Sequence, residues 1–250
     1  MTDCIQVFDS SGEAYKRSFQ VFLAHTDQKQ NARRWLETFL NTLPGTNVLI
    51  DAGAGSGELT GWLAPWFDKT IAVEPNPFLV EKLRRLLPAA EAVCQPILDA
   101  RPSAQADLVM CSHTFYYVPQ SSWLEHAERL LSWMKPTGRT IIVMQHHDTD
   151  CMRMLEQFCG HRFNLSLLAD MLRVKHGTRY TMDIVRNDAH VETHDFTSTL
   201  IIAEFMLNLL PLSVPPSKAA VESYIRSHFT PIQDGYRFSC HQDILQIRRG

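Results

Sequence analysis

The stretch Val48 to Gly57 reads V-L-I-D-A-G-A-G-S-G, and it constrains the fold more tightly than any other part of the chain. Three apolar residues make a short buried strand, an acid follows at Asp51, and glycines stand at 53, 55 and 57. A second apolar run, Thr70 to Val73, leads into Glu74-Pro75, with Glu74 seventeen residues beyond Gly57. Glycines between a strand and a helix let backbone N–H groups come close to a ligand. An acidic residue at the end of the next strand accepts from both hydroxyls of a ribose. The order predicts a nucleotide-type site at the carboxyl edge of a parallel sheet. Glycines alone would also suit a plain, tight strand–helix turn with no ligand.

Spacing narrows the choice of nucleotide. A dinucleotide fingerprint is G-x-G-x-x-G, with pyrophosphate on the helix N-terminus. Here the spacing is G-x-G-x-G, and Asp51 stands two residues before the first glycine. A carboxylate at that point repels a pyrophosphate but accepts a cationic amino group. The pattern resembles motif I of the class I S-adenosylmethionine-dependent methyltransferases. The resemblance implies that Asp51, Gly53 and Gly55 contact S-adenosylmethionine and that Glu74, followed by Pro75, is the ribose-binding acid.

Periodicity extends this unit along the chain. Ser10 to Ala24 places Tyr15, Phe19, Phe22 and Leu23 at helical spacing. A second helix, Asn31 to Thr42, carries Trp35, Leu36, Phe39 and Leu40 and ends at Pro44-Gly45. Strands at 48–51, 70–74, 91–94, 107–111 and 139–145 then alternate with helices at 57–66, 77–87 and 121–133. Pro136-Thr137-Gly138 reads as a turn before the last of these strands. Alternation of this kind predicts a parallel sheet with helices on both faces. Beyond 145 we expect helices at 150–158, 165–174, 200–210 and 218–228, the last two separated by the proline-rich Pro211 to Pro216. We expect strands at 180–185 and 236–247, the latter closing the sheet antiparallel. The expected fold class is α/β. The methyltransferase resemblance implies a Rossmann-like seven-stranded sheet in the order 3-2-1-4-5-7-6 with an N-terminal helical lid. We read a single domain: residues 1–45 as N-terminal helices and lid, 46–148 as the cofactor-binding core, and 149–250 as substrate-covering insertions and C-terminal strands.

Composition excludes several partners. Net charge is −3 and no basic run occurs, so neither nucleic acid nor an anionic membrane is favoured. The apolar stretch near Leu200 to Leu212 is interrupted by Glu204 and Asn208 and is too short to span a bilayer. Met1 to Ser10 has no apolar signal core. The six cysteines show no C-x-x-C spacing and read as buried thiols in a reducing compartment. The expectation is a cytoplasmic monomer or homodimer that binds a small molecule.

Ligands of open α/β sheets sit outside the carboxyl ends of the strands. Beyond Asp51, Gly53 and Glu74, that rule selects Gln95 and Asp99, then Ser112 and His113 with Tyr116 and Tyr117, then Gln145 to Asp148. Gln95 or Asp99 is a candidate for the adenine edge. His113 is a base or substrate partner, or else a core histidine. Tyr116 and Tyr117 wall a pocket, or at least one of them packs. Adjacent side chains on a strand point to opposite faces, so His146-His147-Asp148 is read as a loop or pocket rim and no metal is expected.

Tyr15 to Thr26 narrows the family resemblance. It is similar to the N-terminal helix and lid of histamine N-methyltransferase, which reads Y-x-x-S-F-x-x-F-L-x-H-[ST]. Glu74-Pro75, Tyr116-Tyr117-Val118 and the apolar run Thr140 to Met144 agree as well. The resemblance implies a cofactor site with Tyr15, Phe19, Gly53, Glu74, Gln95 and Ser112. It implies a substrate site with Gln28, His113, Tyr116, Tyr117 and Cys240, of which His113, Tyr117 and Gln28 are the catalytic candidates. Three positions depart from that family: Gln28 replaces a glutamate, His113 a glutamine and Cys240 an asparagine. A neutral amide pairs less strongly with an ammonium than a carboxylate does. The fold and cofactor therefore carry over, but histamine as substrate does not. The leading reading is methylation of a small molecule, at nitrogen first. The alternative is a cyclase of the azetidine-2-carboxylate synthase type, which releases methylthioadenosine from the same cofactor. A non-catalytic binding subunit is the third reading.

Overall fold

The computed structural model describes residues 3–8, 12–209, 212 and 214–250. The expected helix start at Ser10, and Leu210 and Pro211 at the later helix break, lie outside the described residues.

In chain order the elements are α1 (Glu13–His25), α2 (Gln28–Leu40), β1 (Val48–Ala52), α3 (Glu58–Leu63), β2 (Lys69–Val73), α4 (Pro77–Leu86), β3 (Glu91–Val93) and β4 (Ala106–Ser112). They continue with α5 (Trp123–Trp133), β5 (Met134–Gln145), α6 (Asp150–Cys159), α7 (Leu165–His176), β6 (Tyr180–Asn187) and β7 (His190–Glu192). The last are α8 (Phe196–Leu207), α9 (Lys218–His228), β8 (Thr230–Ile232), β9 (Gly235–Ser239) and β10 (Gln242–Arg249). These segments divide into two compact units. One, the sheet unit, comprises residues 36–144, 165–185 and 243–250. The other, the helical unit, comprises residues 1–35, 145–164 and 186–242.

The sheet unit is built on seven strands in the order β3-β2-β1-β4-β5-β10-β6. With β10 counted as the seventh strand, this is the order expected from the sequence. β2–β3, β1–β2, β1–β4 and β4–β5 are parallel pairs. All five residues of β1 are buried, as a central strand covered on both faces requires. α4 begins where Asn76 Oδ1 accepts from the Phe78 and Leu79 N–H groups, with Pro77 in the first turn. A cap of this kind contributes about 1 kcal/mol. It also fixes the chain immediately after Glu74.

Two strand expectations need correction. Pro136-Thr137-Gly138 is not a turn outside the strand but part of β5, which begins at Met134. The register jumps from Ala106↔Met134 to Leu108↔Arg139, so the extra residues are absorbed as a bulge. Gly138 fits there because a Cβ would lie 2.7 Å from the Ala106 carbonyl oxygen. The single strand expected over 236–247 is two strands. β9 belongs to a separate three-stranded antiparallel sheet, β7-β9-β8, and only β10 enters the large sheet. At the break, the Cys240 N–H donates to Ala189 O and the His146 N–H to His241 O, so the backbone bonds leave the ladder.

The helical unit has its own apolar core, with Phe22, Met152, Leu155, Ile202, Phe205 and Phe238 among its buried members. The rings of Tyr15, Phe19 and Phe22 surround Phe205 at 5.3, 5.5 and 5.7 Å. That is the helical stripe read from the sequence, now seen packed against α8. α8 buries residues around most of its circumference, yet no helix among the described residues is long and apolar enough to cross a membrane. All six cysteines are free thiols; Cys4 and Cys94 are exposed and Cys159 is half-buried, so the expectation of buried thiols holds only at Cys111, Cys151 and Cys240.

Candidate functional site

The turn after β1 is tied to the end of β2. The N–H groups of Gly53 and Ala54 both donate to Val73 O, at 2.8 and 3.1 Å. Gly53, Gly55 and Gly57 all have positive φ, at 77°, 57° and 88°. Two of the three also answer to packing. A Cβ on Gly53 would lie 2.1 Å from Thr114 Oγ1, and one on Gly57 would lie 3.1 Å from Leu83 Cγ. Gly55 has no protein atom within 4 Å of its Cβ position. Its backbone is the approachable part of the turn.

Glu74 is fixed at this turn. One carboxylate oxygen accepts from the Gly55 N–H and the other from the Asn76 N–H, both at 2.9 Å. Each oxygen keeps further acceptor capacity, as hydroxyl recognition requires. Asp51 lies 2% exposed and accepts from Thr60 Oγ1 at 2.6 Å. Burial pushes its pKa up to about 6; the Thr60 hydrogen bond opposes this shift and the charge of Glu74 adds to it. Among the described residues neither carboxylate has an ion-pair partner. This pair of acceptors suits a ligand with vicinal hydroxyls and a cationic group.

The end of β4 supplies the next residues. His113 takes a left-handed backbone, φ 56°, which is uncommon away from glycine. Its N–H donates to Val143 O at 2.9 Å, and Nδ1 lies 3.0 Å from the Tyr116 hydroxyl. Tyr116 is buried, whereas Tyr117 is 61% exposed. Of the two tyrosines, one packs and one is open. Thr114 was not singled out from the sequence, yet its side chain fills the space over Gly53 and its hydroxyl donates to Ser112 O at 3.2 Å. Nothing in the local sequence marks it. Thr60, the partner of Asp51, was also missed. Its place near the start of α3, after the glycine turn, was the available signal.

A model of the methyltransferase-domain family matches residues 23–194. The chain belongs to this family. Among solved structures it is similar to YcgJ of Bacillus subtilis, at 14% identity and a TM-score of 0.62, over 87% of this chain and 99% of that one. It is similar to the plantazolicin methyltransferase BpumL in complex with SAH, at 12% identity and a TM-score of 0.56, over 94% and 88% of the two chains. It is also similar to the N-methyltransferase NodS of Bradyrhizobium japonicum WM9, at 11% identity and a TM-score of 0.52, over 89% and 98%. Likenesses at these identities concern the fold. A search of curated proteins returns no match.

Within this methyltransferase, the remaining expected residues are placed as follows. Ser112 is half-buried at the end of β4, while Pro75, Gln95 and Asp99 are exposed on the surface. Tyr15 and Phe19 belong to the helical unit, against Phe205. Gln28 and Cys240 are brought together in that same unit. Gln28 is buried and its Nε2 donates to Cys240 O at 2.7 Å. The Cys240 thiol lies 3.3 Å from Thr26 Oγ1. Burial pushes this thiol up to about 12, despite the Thr26 hydrogen bond. It is therefore a neutral thiol near pH 7.

His146 and His147 follow β5, and their rings lie 4.4 Å apart. The strand has ended at Gln145, so the opposite-face alternation assumed for this pair does not apply. Asp148 is engaged by Arg153 at 2.6 Å and Arg162 at 3.0 Å, and these pairings hold its carboxyl below the usual range.

Proposed function

We propose that this protein transfers the methyl group of S-adenosylmethionine to a small molecule, with nitrogen as the leading nucleophile. The observation that carries the reading is the Glu74 carboxylate held on the Gly55 N–H, beside a glycine turn with open space at Gly55. S-adenosylmethionine is the cofactor. When bound, it supplies an electrophilic methyl carbon on a sulfonium. Glu74 takes the ribose hydroxyls with the acceptor capacity left after its two backbone bonds. Asp51, buried next to the turn, favours a cationic amino group. Ser112, Gln95 and Pro75 extend the cofactor contacts.

Two features favour an amine acceptor: the likeness of Tyr15 to Thr26 to histamine N-methyltransferase, and a histidine at the end of β4. A protonated amine must lose a proton before it can attack. In the tautomer that donates Nδ1–H to the Tyr116 hydroxyl, the proton-accepting atom of His113 is Nε2. The left-handed backbone at His113 is a strained conformation, of the kind that clusters at functional positions. Tyr117, exposed one residue beyond Tyr116, is the aromatic available to an acceptor. Gln28 has one amide N–H engaged by Cys240 O, so the acceptor reading rests first on His113.

Calorimetric titration with S-adenosylhomocysteine tests the cofactor half. Glu74→Ala removes a charged acceptor worth roughly 1.5–3 kcal/mol, so affinity should fall at least tenfold. An unchanged dissociation constant would refute the assignment. His113→Ala should leave that affinity unchanged while turnover on an amine falls by about 10²–10⁴-fold. Accumulation of methylthioadenosine from S-adenosylmethionine alone would instead identify the cyclase.

A further inference from the structure

A cleft lies in the sheet unit, at the other edge of the sheet from the glycine turn. It has a volume of about 190 Å3 and is lined by Glu128, Leu131, Ser132, His176, Arg179, Tyr180 and Arg249. Leu131 and Ser132 close α5, which leads directly into the start of β5. His176 is the last residue of α7, Tyr180 the first of β6 and Arg249 the last of β10. β1, β2, β4 and β5 run parallel, so the start of β5 and the ends of β1 and β2 face opposite edges. This cleft is therefore not the cofactor site.

We propose that this cleft binds a small dianion, a phosphate or phosphomonoester, remote from the methyl-transfer site. The charge balance supports it. The carboxylate of Glu128 is already engaged twice, by Lys175 Nζ at 2.8 Å and by His176 Nε2 at 2.7 Å. Burial would raise Glu128, but these hydrogen bonds hold it below the usual glutamate value, so it stays ionised and paired. Two guanidiniums remain. Among the described residues neither Arg179 nor Arg249 has a carboxylate partner. Arg179 lies over the ring of Tyr180 at 5.5 Å, which orients its planar fork. Gly250 N–H donates to Arg179 O at 2.9 Å and so ties the end of β10 to the turn that carries Arg179. A tetrahedral dianion has enough oxygens to meet both forks, whereas a single carboxylate is satisfied by one. The chain as a whole carries −3, so a cationic cleft here does not reflect a basic surface overall. A single cleft also differs from the extended basic stripe that tracks a nucleic-acid backbone.

Titration calorimetry with inorganic phosphate and with glycerol 3-phosphate, against sodium chloride at equal ionic strength, tests this site. Both probes should bind the wild-type protein with measurable heat, and the ester should bind more tightly if Leu131 and Tyr180 receive its stem. Arg179→Ala/Arg249→Ala should weaken phosphate at least tenfold while S-adenosylhomocysteine affinity stays within twofold. Because both arginines are exposed, that second readout also reports that the fold is intact. Glu128→Gln should tighten phosphate severalfold, since it removes the one anion in the lining and releases Lys175 and His176. Equal phosphate affinity in wild type and the double-arginine variant would overturn the proposal. So would no heat beyond the chloride control, or weaker phosphate binding in Glu128→Gln with an unchanged melting temperature.

Discussion

The glycine turn and the Gln28–Cys240 tie use buried polar groups in opposite ways. At the turn, Glu74 accepts two backbone N–H groups and still has acceptor capacity to offer. In the helical unit, Gln28 gives its amide to a main-chain carbonyl, and Cys240 is buried as a neutral thiol. Both pairs stand where a family resemblance expects ligand contacts. Only the first offers charged acceptor capacity beside an open backbone; the second has one amide N–H committed to a main-chain carbonyl. A residue at a matching position becomes a strong candidate when its hydrogen bonds leave capacity over, and a weaker one when the fold has already used it.

The largest expected effect separates the glycines within the turn. Gly53→Ala must place a methyl group 2.1 Å from Thr114 Oγ1 at a backbone φ of 77°. The left-handed backbone alone costs about 1–2 kcal/mol, and the overlap with Thr114 adds to it. Chemical denaturation should show a loss of more than about 3 kcal/mol, or no folded protein. Gly55→Ala meets no atom, so it should lose only the backbone cost of about 1–2 kcal/mol while weakening S-adenosylhomocysteine. Similar stability losses in the two variants would show that Thr114 can move aside and that packing does not distinguish the glycines.

The next effect concerns Asp51 and has a definite sign. Its pKa is raised from 3.8 to about 6 in the folded protein. Well below pH 3.8 the carboxyl is neutral both folded and unfolded and costs nothing. As pH rises toward and through 6, the unfolded chain has already ionised while the fold resists, so stability is lost. The linked cost approaches about 3 kcal/mol once pH is above the folded value. Thermal melts from pH 4 to 7 should therefore show wild-type protein losing ground to Asp51→Asn. The ligand titration should run the other way. S-adenosylhomocysteine carries an ammonium, so its affinity for wild type should rise as Asp51 ionises through pH 6 and stay flatter in Asp51→Asn. Parallel pH profiles for the two proteins would show that Asp51 is not the titrating group.

The sheet was largely legible because its signals are local. Apolar runs flanked by turns placed β1, β2 and β4 to within a residue or two, and the glycine and acid spacing placed Gly55 and Glu74 together. The Tyr15, Phe19 and Phe22 stripe likewise predicted which face of α1 packs. What escaped depends on partners far along the chain. Pro136 to Gly138 carry turn composition, and only the close approach of β4 makes them a bulge in β5. Tyr236 to Ile247 read as one strand because residue type does not reveal the switch of sheet at Cys240 and His241. Thr114 matters because Gly53, in another strand–helix turn, leaves it room. Gln28 is tied to a backbone carbonyl more than two hundred residues away, which no window on the sequence contains.

That tie gives the smallest and most discriminating test. Gln28→Ala removes the donor to Cys240 O, on a residue with no exposed surface. An unsatisfied buried carbonyl costs about 1–3 kcal/mol, and Gln28 also loses its own packing. The melting temperature should fall by several degrees for a unit of this size. S-adenosylhomocysteine affinity should change by less than twofold, because the recorded bond of this amide is to the backbone. Glu74→Ala should show the reverse pattern, a large loss of affinity with a smaller loss of stability. If Gln28→Ala instead keeps its melting temperature and loses affinity tenfold, the amide is shared with the ligand. The contrast between spent and unspent polar groups would then fail at the residue that defines it.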